Sequence, residues 1–417
     1  MNILLVNKDF EGGGAATACR RLFQALDKSG KVDVKVLVQQ TKNASEKIIP
    51  VLRGKFATNL SLFNLAIEKS IFYFFEASKD IRFAFSSANY GNSISSIDAV
   101  KKADIIHIHW INQGFLSLKE IDKIISLNKP IVWTLHDMWP FTGGCHYSGN
   151  CEKYKSICGN CPFLKGSNEK DLSYYLFNRK KEIFQNSNIS WIGCSKWMAT
   201  LAQSSNVLTN PQVKNIFNPI DIELYKPIEK ATARKFFDLP INKKIILFGA
   251  AKISDKRKGL SYLLEALNIL DRNGFKDIML VTFGKNSAIN NLKIESKAIN
   301  YISDENKIAQ LYSAADVFVL PSLEDNLPNT VMESLTCGTP VVAFNIGGIP
   351  EMVKHTINGY LAKVADSTDL ANGIEWVLNK LNYSELSANA RNYAINEFSE
   401  DVIANKYIEL YQNIINK

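Results

Sequence analysis

The chain has 417 residues, of which 46% are hydrophobic, 22% charged and 11% aromatic, with a formal net charge of +8. That length exceeds what one hydrophobic core organises and predicts two domains of about 200 residues each, while the composition excludes a disordered or fibrous chain. The positive charge is spread over short mixed runs, and the densest, Lys252 to Lys258, is interrupted by Asp255. It argues against nucleic acid as a partner and is compatible with phosphate-bearing small molecules or an anionic membrane surface.

The opening MNILLVNKDF has a short apolar stretch before its first charge and no small-residue cleavage site, so it reads as a strand rather than a signal peptide. No apolar run approaches the ~20 residues of a spanning helix. The stickiest patch, Ser70 to Phe75, is flanked by Lys69 and Glu76. These features predict a cytoplasmic protein, with peripheral contact at the inner face of the membrane as the variant of that reading.

In chain order, a strand at Ile3 to Val6 leads into a loop holding Gly12, Gly13 and Gly14, then a helical pattern through Leu22 and Leu26, then a strand at Val32 to Val38. Strand, glycine turn, helix and strand in that order predict a parallel sheet with helices on its faces. Further strands are expected at Asp104 to His109, Ile131 to Leu135 and Ser190 to Cys194. After a polar interval with Asn206, Asn210 and Pro211 the rhythm restarts. Strands are expected at Lys244 to Phe248, Asp277 to Phe283, Ile299 to Ile302, Val317 to Leu320 and Pro340 to Phe344, with a helix at Leu260 to Leu270. The fold class is therefore α/β, with two doubly wound Rossmann-like domains, 1–212 and 213–397, facing across a cleft where ligands bind. A last helical pattern, 398–417, is free to pack on either domain.

The segment Glu11 to Ala16, EGGGAA, allows close backbone approach to a substrate or phosphate. It does not spell the dinucleotide fingerprint, and the second strand ends in Gln39 and Gln40 rather than a ribose-binding acid, which argues against an NAD-linked oxidoreductase. His136 and Asp137 follow the strand Ile131 to Leu135, at a strand end that faces the ligand crevice, whereas His107 and His109 read as structural. Cys145, Cys151, Cys158 and Cys161 follow the pattern C-x5-C-x6-C-x2-C and make up four of the seven cysteines. In a reducing compartment such a set holds a structural zinc, with His146 able to replace one ligand, or stands as buried or reversibly oxidised thiols.

Further on, Phe248 to Gly259 reads FGAAKISDKRKG, a strand end followed by a basic loop and a helix start. From Leu320 the chain runs LPSLEDNLPNTVME into another helix. Pro328 suits its first turn. Free N–H groups at Asn329, Thr330 and Val331, with the positive end of the helix dipole, would then form an anion site for a pyrophosphate. Glu333 lies one turn on, where its two carboxylate oxygens can accept from both hydroxyls of a ribose.

These motifs resemble the retaining glycosyltransferases of family 4, which have the two-domain arrangement called GT-B. The resemblance is carried by an acid eight positions before Glu333, by Cys337, Gly338, Pro340 and Val341 after it, and by Gly347, Gly348, Ile349, Pro350 and Glu351. It implies a hexosyl or related transfer from a nucleotide diphosphate sugar to an acceptor hydroxyl, with no cofactor or metal required for catalysis. The acceptor it implies is a saccharide or lipid-linked saccharide of cell-surface polysaccharide synthesis, held by the first domain, with the donor in the second. His136 would stand close to the donor sugar, Lys252 and Lys258 would contact the diphosphate, and Gly13 and Gly14 would face the reacting sugar or acceptor. The sequence departs from the family in two places. Asp325, beside Glu324, stands where the first acid is usually Glu, which leaves the identity of the sugar open. Ala250 or Lys252 stands where the family carries Arg, and Lys supplies a point charge rather than a planar fork. A sugar-nucleotide epimerase of the same fold and a zinc-stapled scaffold without catalysis are the alternative readings.

Overall fold

The computed structural model describes residues 1–166, 168–185, 187–208, 212–252, 255–285, 287–289 and 292–416, with backbone alone at 251 and 252. Asn210, Pro211 and the side chain of Lys252 thus lie outside the described residues. Aliphatic runs become strands of two parallel sheets. The first contains β1 (Asn2–Val6), β2 (Asp33–Val38), β3 (Ile48–Pro50), β4 (Ile105–Ile108), β5 (Ile131–Leu135), β6 (Ile189–Gly193) and β7 (Lys214–Asn215), in the order β3-β2-β1-β4-β5-β6-β7. The second contains β8 (Lys244–Lys252), β9 (Ile278–Lys285), β10 (Glu295–Ile299), β11 (Val317–Leu320), β12 (Val341–Phe344) and β13 (Gly359–Ala362), in the order β10-β9-β8-β11-β12-β13. Every strand of β4, β5, β11 and β12 is buried at each residue, as parallel strands covered by helices on both faces must be.

One strand falls elsewhere than the apolar pattern predicts. The edge strand β10 runs Glu295–Ile299 and pairs Glu295 with Met279, instead of starting at Ile299. Backbone bonds to β9 hold it, and an edge strand buries too little side chain for its polarity to matter. The short strands β3 and β7, of three and two residues, carry no readable period.

The chain divides into two compact units, Met1–Asn218 with Ile403–Lys417, and Pro219–Val402. The C-terminal helix Glu400–Ile415 enters the first unit through two buried tyrosines. Tyr411 Oη is 2.7 Å from His107 Nδ1, and Tyr407 Oη is 2.9 Å from Thr134 Oγ1. In the second unit Asp316 accepts from the Arg234 guanidinium at 2.6 Å, from Lys230 at 2.7 Å and from the Ile245 N–H at 2.6 Å, tying the start of β8 to β11. In each sheet the winding reverses between two central strands, β1 and β4 in one and β8 and β11 in the other. The C-terminal ends of such pairs are where open α/β sheets bind ligands. Among the described residues no helix is long and apolar enough to cross a membrane.

Candidate functional site

In the second unit, loops leaving β8, β11 and β12 are locked together by backbone. A Cβ at Gly259, φ +68°, would stand 1.8 Å from the Pro321 carbonyl oxygen, and one at Gly347, φ +61°, would stand 1.9 Å from that of Asp325. Both positions therefore require glycine, for space and for conformation. The Leu323 N–H donates to the Arg257 carbonyl at 2.7 Å. Asp255 caps the turn Lys256–Lys258, accepting from the Arg257 N–H at 3.0 Å and from its guanidinium at 2.8 Å. Lys258 instead reaches across to Asp325, Nζ to Oδ2 2.6 Å, where Ser322 Oγ also donates at 3.3 Å. Two of the predicted residues are thus brought together. Ala250 is buried and supplies no charge.

The helix Asn329–Thr336 starts after Pro328 without a side-chain cap. The expectation of three free N–H groups is corrected at Val331, whose N–H donates to the Pro328 carbonyl at 3.0 Å. A proline in extended backbone just before the helix closes this tight i to i+3 turn. At the other end the Arg391 guanidinium donates to the Thr336 carbonyl at 2.8 Å and to that of Ile222 at 2.9 Å, a cationic C-terminal cap that complements the helix dipole. Glu333 is 7% exposed rather than solvated, and accepts from the Tyr312 hydroxyl at 3.1 Å. Burial first, and then Glu333, hold the Tyr312 phenol well above its usual range, so it remains a donor. Neither Tyr312 nor Arg391 carries a motif that would have marked it in the sequence.

In the first unit, Gly12 and Gly13 have φ of 82° and 83°, and Gly13 precedes helix α1 (Gly14–Ser29). A Cβ at either would meet nothing within 4 Å. Conformation, not crowding, demands glycine here: Gly13, with ψ 160°, occupies a region essentially closed to other residues. Across the switch point, His136 follows β5 and its Nε2 lies 2.9 Å from His109 Nδ1. The His107 ring is 4.4 Å from that of His109, and His107 Nε2 is 2.8 Å from Thr134 Oγ1. The contact between His109 and His136 joins two strand ends, a pairing that sequence spacing does not show.

Burial pulls His107 down to about 3 and His136 to about 4, and pulls His109 well below its ordinary value. All three are neutral near pH 7. Their folded values lie below the unfolded 6.5, so the stabilisation they carry is complete above that pH and is lost as pH falls through the folded values of about 4 and 3. Thermal unfolding measured at decreasing pH should show Tm dropping below about pH 6.5, and dropping less steeply in His107→Gln. A Tm that stays flat through the acid range would contradict a buried neutral set.

Asp137 accepts from His146 Nδ1 and Trp110 Nε1, each at 2.7 Å, and from the Trp139 N–H at 2.9 Å. Burial pushes its carboxyl up, but these partners outweigh it and leave the group below its ordinary value. His146 Nε2 is 3.1 Å from Ser86 Oγ. Both ring nitrogens of His146 are thus engaged by other side chains.

Cys145, Cys151, Cys158 and Cys161 line one pocket, three of them buried and Cys151 partly so. Burial pushes the Cys158 thiol up to about 12 and Cys161 to about 11, and drives Cys145 up as well. Among the described residues no group of three or more His, Cys, Asp or Glu side chains is placed to hold a metal ion. Beside them the buried Lys180 donates to the carbonyls of Trp139 and Thr142 at 2.5 and 3.1 Å, and burial pulls it down to about 7.

Comparison with known proteins matches residues 12–224 to Glycosyltransferase Family 4 and residues 230–397 to Glycosyl transferases group 1. An uncharacterized glycosyltransferase of Methanocaldococcus jannaschii is 23% identical over 77% of this chain and 85% of its own length. The UDP-Gal:alpha-D-GlcNAc-diphosphoundecaprenol alpha-1,3-galactosyltransferase of Escherichia coli is 27% identical over 48% of this chain and 55% of its own. Among solved structures, Anabaena HepE in complex with UDP-glucose superposes with a TM-score of 0.64 at 17% identity, covering 99% of this chain and 100% of that one.

Proposed function

This chain belongs to glycosyltransferase family 4 and has the two-domain GT-B fold, and from that premise we propose that it moves a sugar from a nucleotide diphosphate sugar to a hydroxyl of a lipid-linked saccharide, with retention at the anomeric carbon. The observation that carries this reading is the placement, at the switch point of the second sheet, of Lys258 on Asp325 beside a helix that holds Glu333 within it. Breaking the bond between sugar and phosphate builds positive charge on the sugar and negative charge on the departing diphosphate. Lys258, Lys252 and the N-terminus of the helix Asn329–Thr336 are assigned to the diphosphate, where fixed positive charge stabilises the leaving group without a metal. Glu333, kept in place by Tyr312, is assigned to the ribose hydroxyls, and Asp325 to the hydroxyls of the sugar. In the first unit, neutral His136 is assigned a hydrogen bond to the donor sugar, and Gly13 and Gly14 a close backbone approach to the reacting groups. Attack from the face the diphosphate leaves lets that diphosphate take the acceptor's proton, so no carboxylate nucleophile is needed.

A nucleotide-sugar donor is supported by the UDP-glucose held by a protein of the same fold. A lipid-linked acceptor in the synthesis of a surface glycan is supported by the diphosphoundecaprenol named for the galactosyltransferase. The test is thermal shift against UDP, GDP, ADP and dTDP sugars, followed by transfer from the stabilising donor to an undecaprenyl-diphosphate-linked sugar, with the product's anomeric configuration read by NMR. One donor should raise Tm, and the product should keep the donor's configuration. An inverted product would refute retention, and an isomerised donor formed without acceptor would indicate an epimerase.

A further inference from the structure

Where β4 and β5 end in the first unit, the rings of His107, His109 and His136 lie in one row, with centroids 4.4 Å apart in the first pair and 5.2 Å in the second. His107 spends both nitrogens on hydroxyls, Nδ1 on Tyr411 at 2.7 Å and Nε2 on Thr134 at 2.8 Å. His109 is held by its backbone. Its N–H donates to the Val6 carbonyl at 2.9 Å, and its carbonyl accepts from Trp133 Nε1 at 3.1 Å. Fixed in this way, buried, and flanked by two rings, the His109 imidazole is a rigid neighbour for His136.

The contact between these two rings has a direction. His109 Nδ1 is 2.9 Å from His136 Nε2, so one of them donates and the other accepts. Burial keeps both groups below their ordinary values and neutral near pH 7, which leaves a single N–H on each ring. If His136 donated, the proton of His109 would sit on Nε2. That atom is closed to solvent and has no hydrogen-bond partner among the described residues. Buried N–H groups are rarely orphaned, whereas acceptors are left bare more often. His109 therefore donates from Nδ1, His136 accepts at Nε2, and the proton of His136 is on Nδ1.

We propose that His109 is a positioning residue, which fixes the Nδ1–H tautomer of His136 so that His136 offers the donor sugar a hydrogen-bond donor and not a base. This rests on the assignment of His136 to the donor sugar made above. With Nε2 occupied by the His109 N–H and Nδ1 carrying a proton, no ring nitrogen of His136 is left to take the proton of the acceptor hydroxyl. That agrees with its passage to the departing diphosphate. A histidine that served only as core packing at position 109 would impose no tautomer on its neighbour.

The first test is NMR of the full chain with isotopically labelled histidine ring nitrogens, run without donor or acceptor and so independent of transfer. The chain has five histidines, and the His136 signals are identified by their loss in His136→Gln. At neutral pH, His136 and His109 should each show a protonated Nδ1 and a bare Nε2. The second test compares His109→Asn, whose amide nitrogen still donates from near the Nδ1 position, with His109→Leu, similar in shape and unable to donate. Transfer is measured with whichever of the UDP, GDP, ADP and dTDP sugars raises Tm. H109N should keep the tautomer and most of kcat. H109L should release His136 to the Nε2–H form and lower kcat by about 10–100-fold, with little change in KM because the nucleotide is assigned to the second unit. Both variants remove the same ring, so a purely structural role would lower their activity together, and circular dichroism shows whether each is folded. A wild-type His136 protonated on Nε2 would overturn the inference, as would equal losses in the two variants or full activity in H109L. Absence of transfer by the wild type would refute the role of His136 in that reaction, while the NMR result would still decide the tautomer.

Discussion

Replacing Glu333 with alanine is expected to lower kcat/KM by at least about 10²-fold while leaving a folded protein. Two hydroxyl donors to one carboxylate, at ~1.5 kcal/mol or more each, amount to ~3 kcal/mol of lost binding in ground and transition states alike. Because Glu333 accepts from the buried Tyr312 hydroxyl, the alanine variant also strands that donor, at a cost of ~1–3 kcal/mol, and Tm should fall by several degrees. Glu333→Gln separates the two effects. Its amide oxygen still receives the Tyr312 hydroxyl, so Tm should stay near wild type, yet it presents one neutral acceptor where the ribose needs two anionic ones. Steady-state kinetics and thermal unfolding on both variants decide the matter. Near-normal activity in Glu333→Ala would remove the nucleotide site from this helix.

Lys258→Met should reduce kcat/KM by ~10²–10³-fold, the scale on which a preorganised positive group at a developing anion acts. Its stability should fall as well, because the ion pair keeps only 26% and 13% of its side chains exposed and the variant leaves the mostly buried Asp325 carboxylate with Ser322 as a partner but without its cation. If Lys258 mattered only by neutralising Asp325, the double variant K258M/D325N would recover activity. No recovery is expected, because the charge is assigned to the diphosphate. Lys258→Arg should recover only part of the rate, since a planar fork does not reproduce a compact ammonium 2.6 Å from Asp325 Oδ2. Restored transfer in K258M/D325N would reassign Lys258 to a structural role.

The two predictions differ in how far the sequence supports them. Lys258 and Asp325 are 67 residues apart, and nothing in their spacing joins them. Their contact depends on Gly259 and Gly347 letting three loops approach until no Cβ would fit. Asp255, read from the sequence as an interruption in a basic run, proves to be the group that occupies Arg257 and leaves Lys258 to turn inward. The free N–H groups expected at the helix start failed at Val331, because capping is settled by local dihedrals that residue types only bias.

What the sequence by itself determined is the alternation of strand and helix, the two parallel sheets and the chain positions of the switch-point loops. Those follow from hydrophobic period and glycine placement, which act over a few residues. Only the tertiary structure decided which histidines touch, that His146 is spent on Asp137 and Ser86, and that Tyr312 and Arg391 support the helix of Glu333. It also decided which side of the helix Ala57–Tyr73 turns inward, since that direction is set by distant partners such as Gln39, Asn92 and Gly114. Such contacts are fixed by packing between segments far apart in the chain, and no local pattern encodes them.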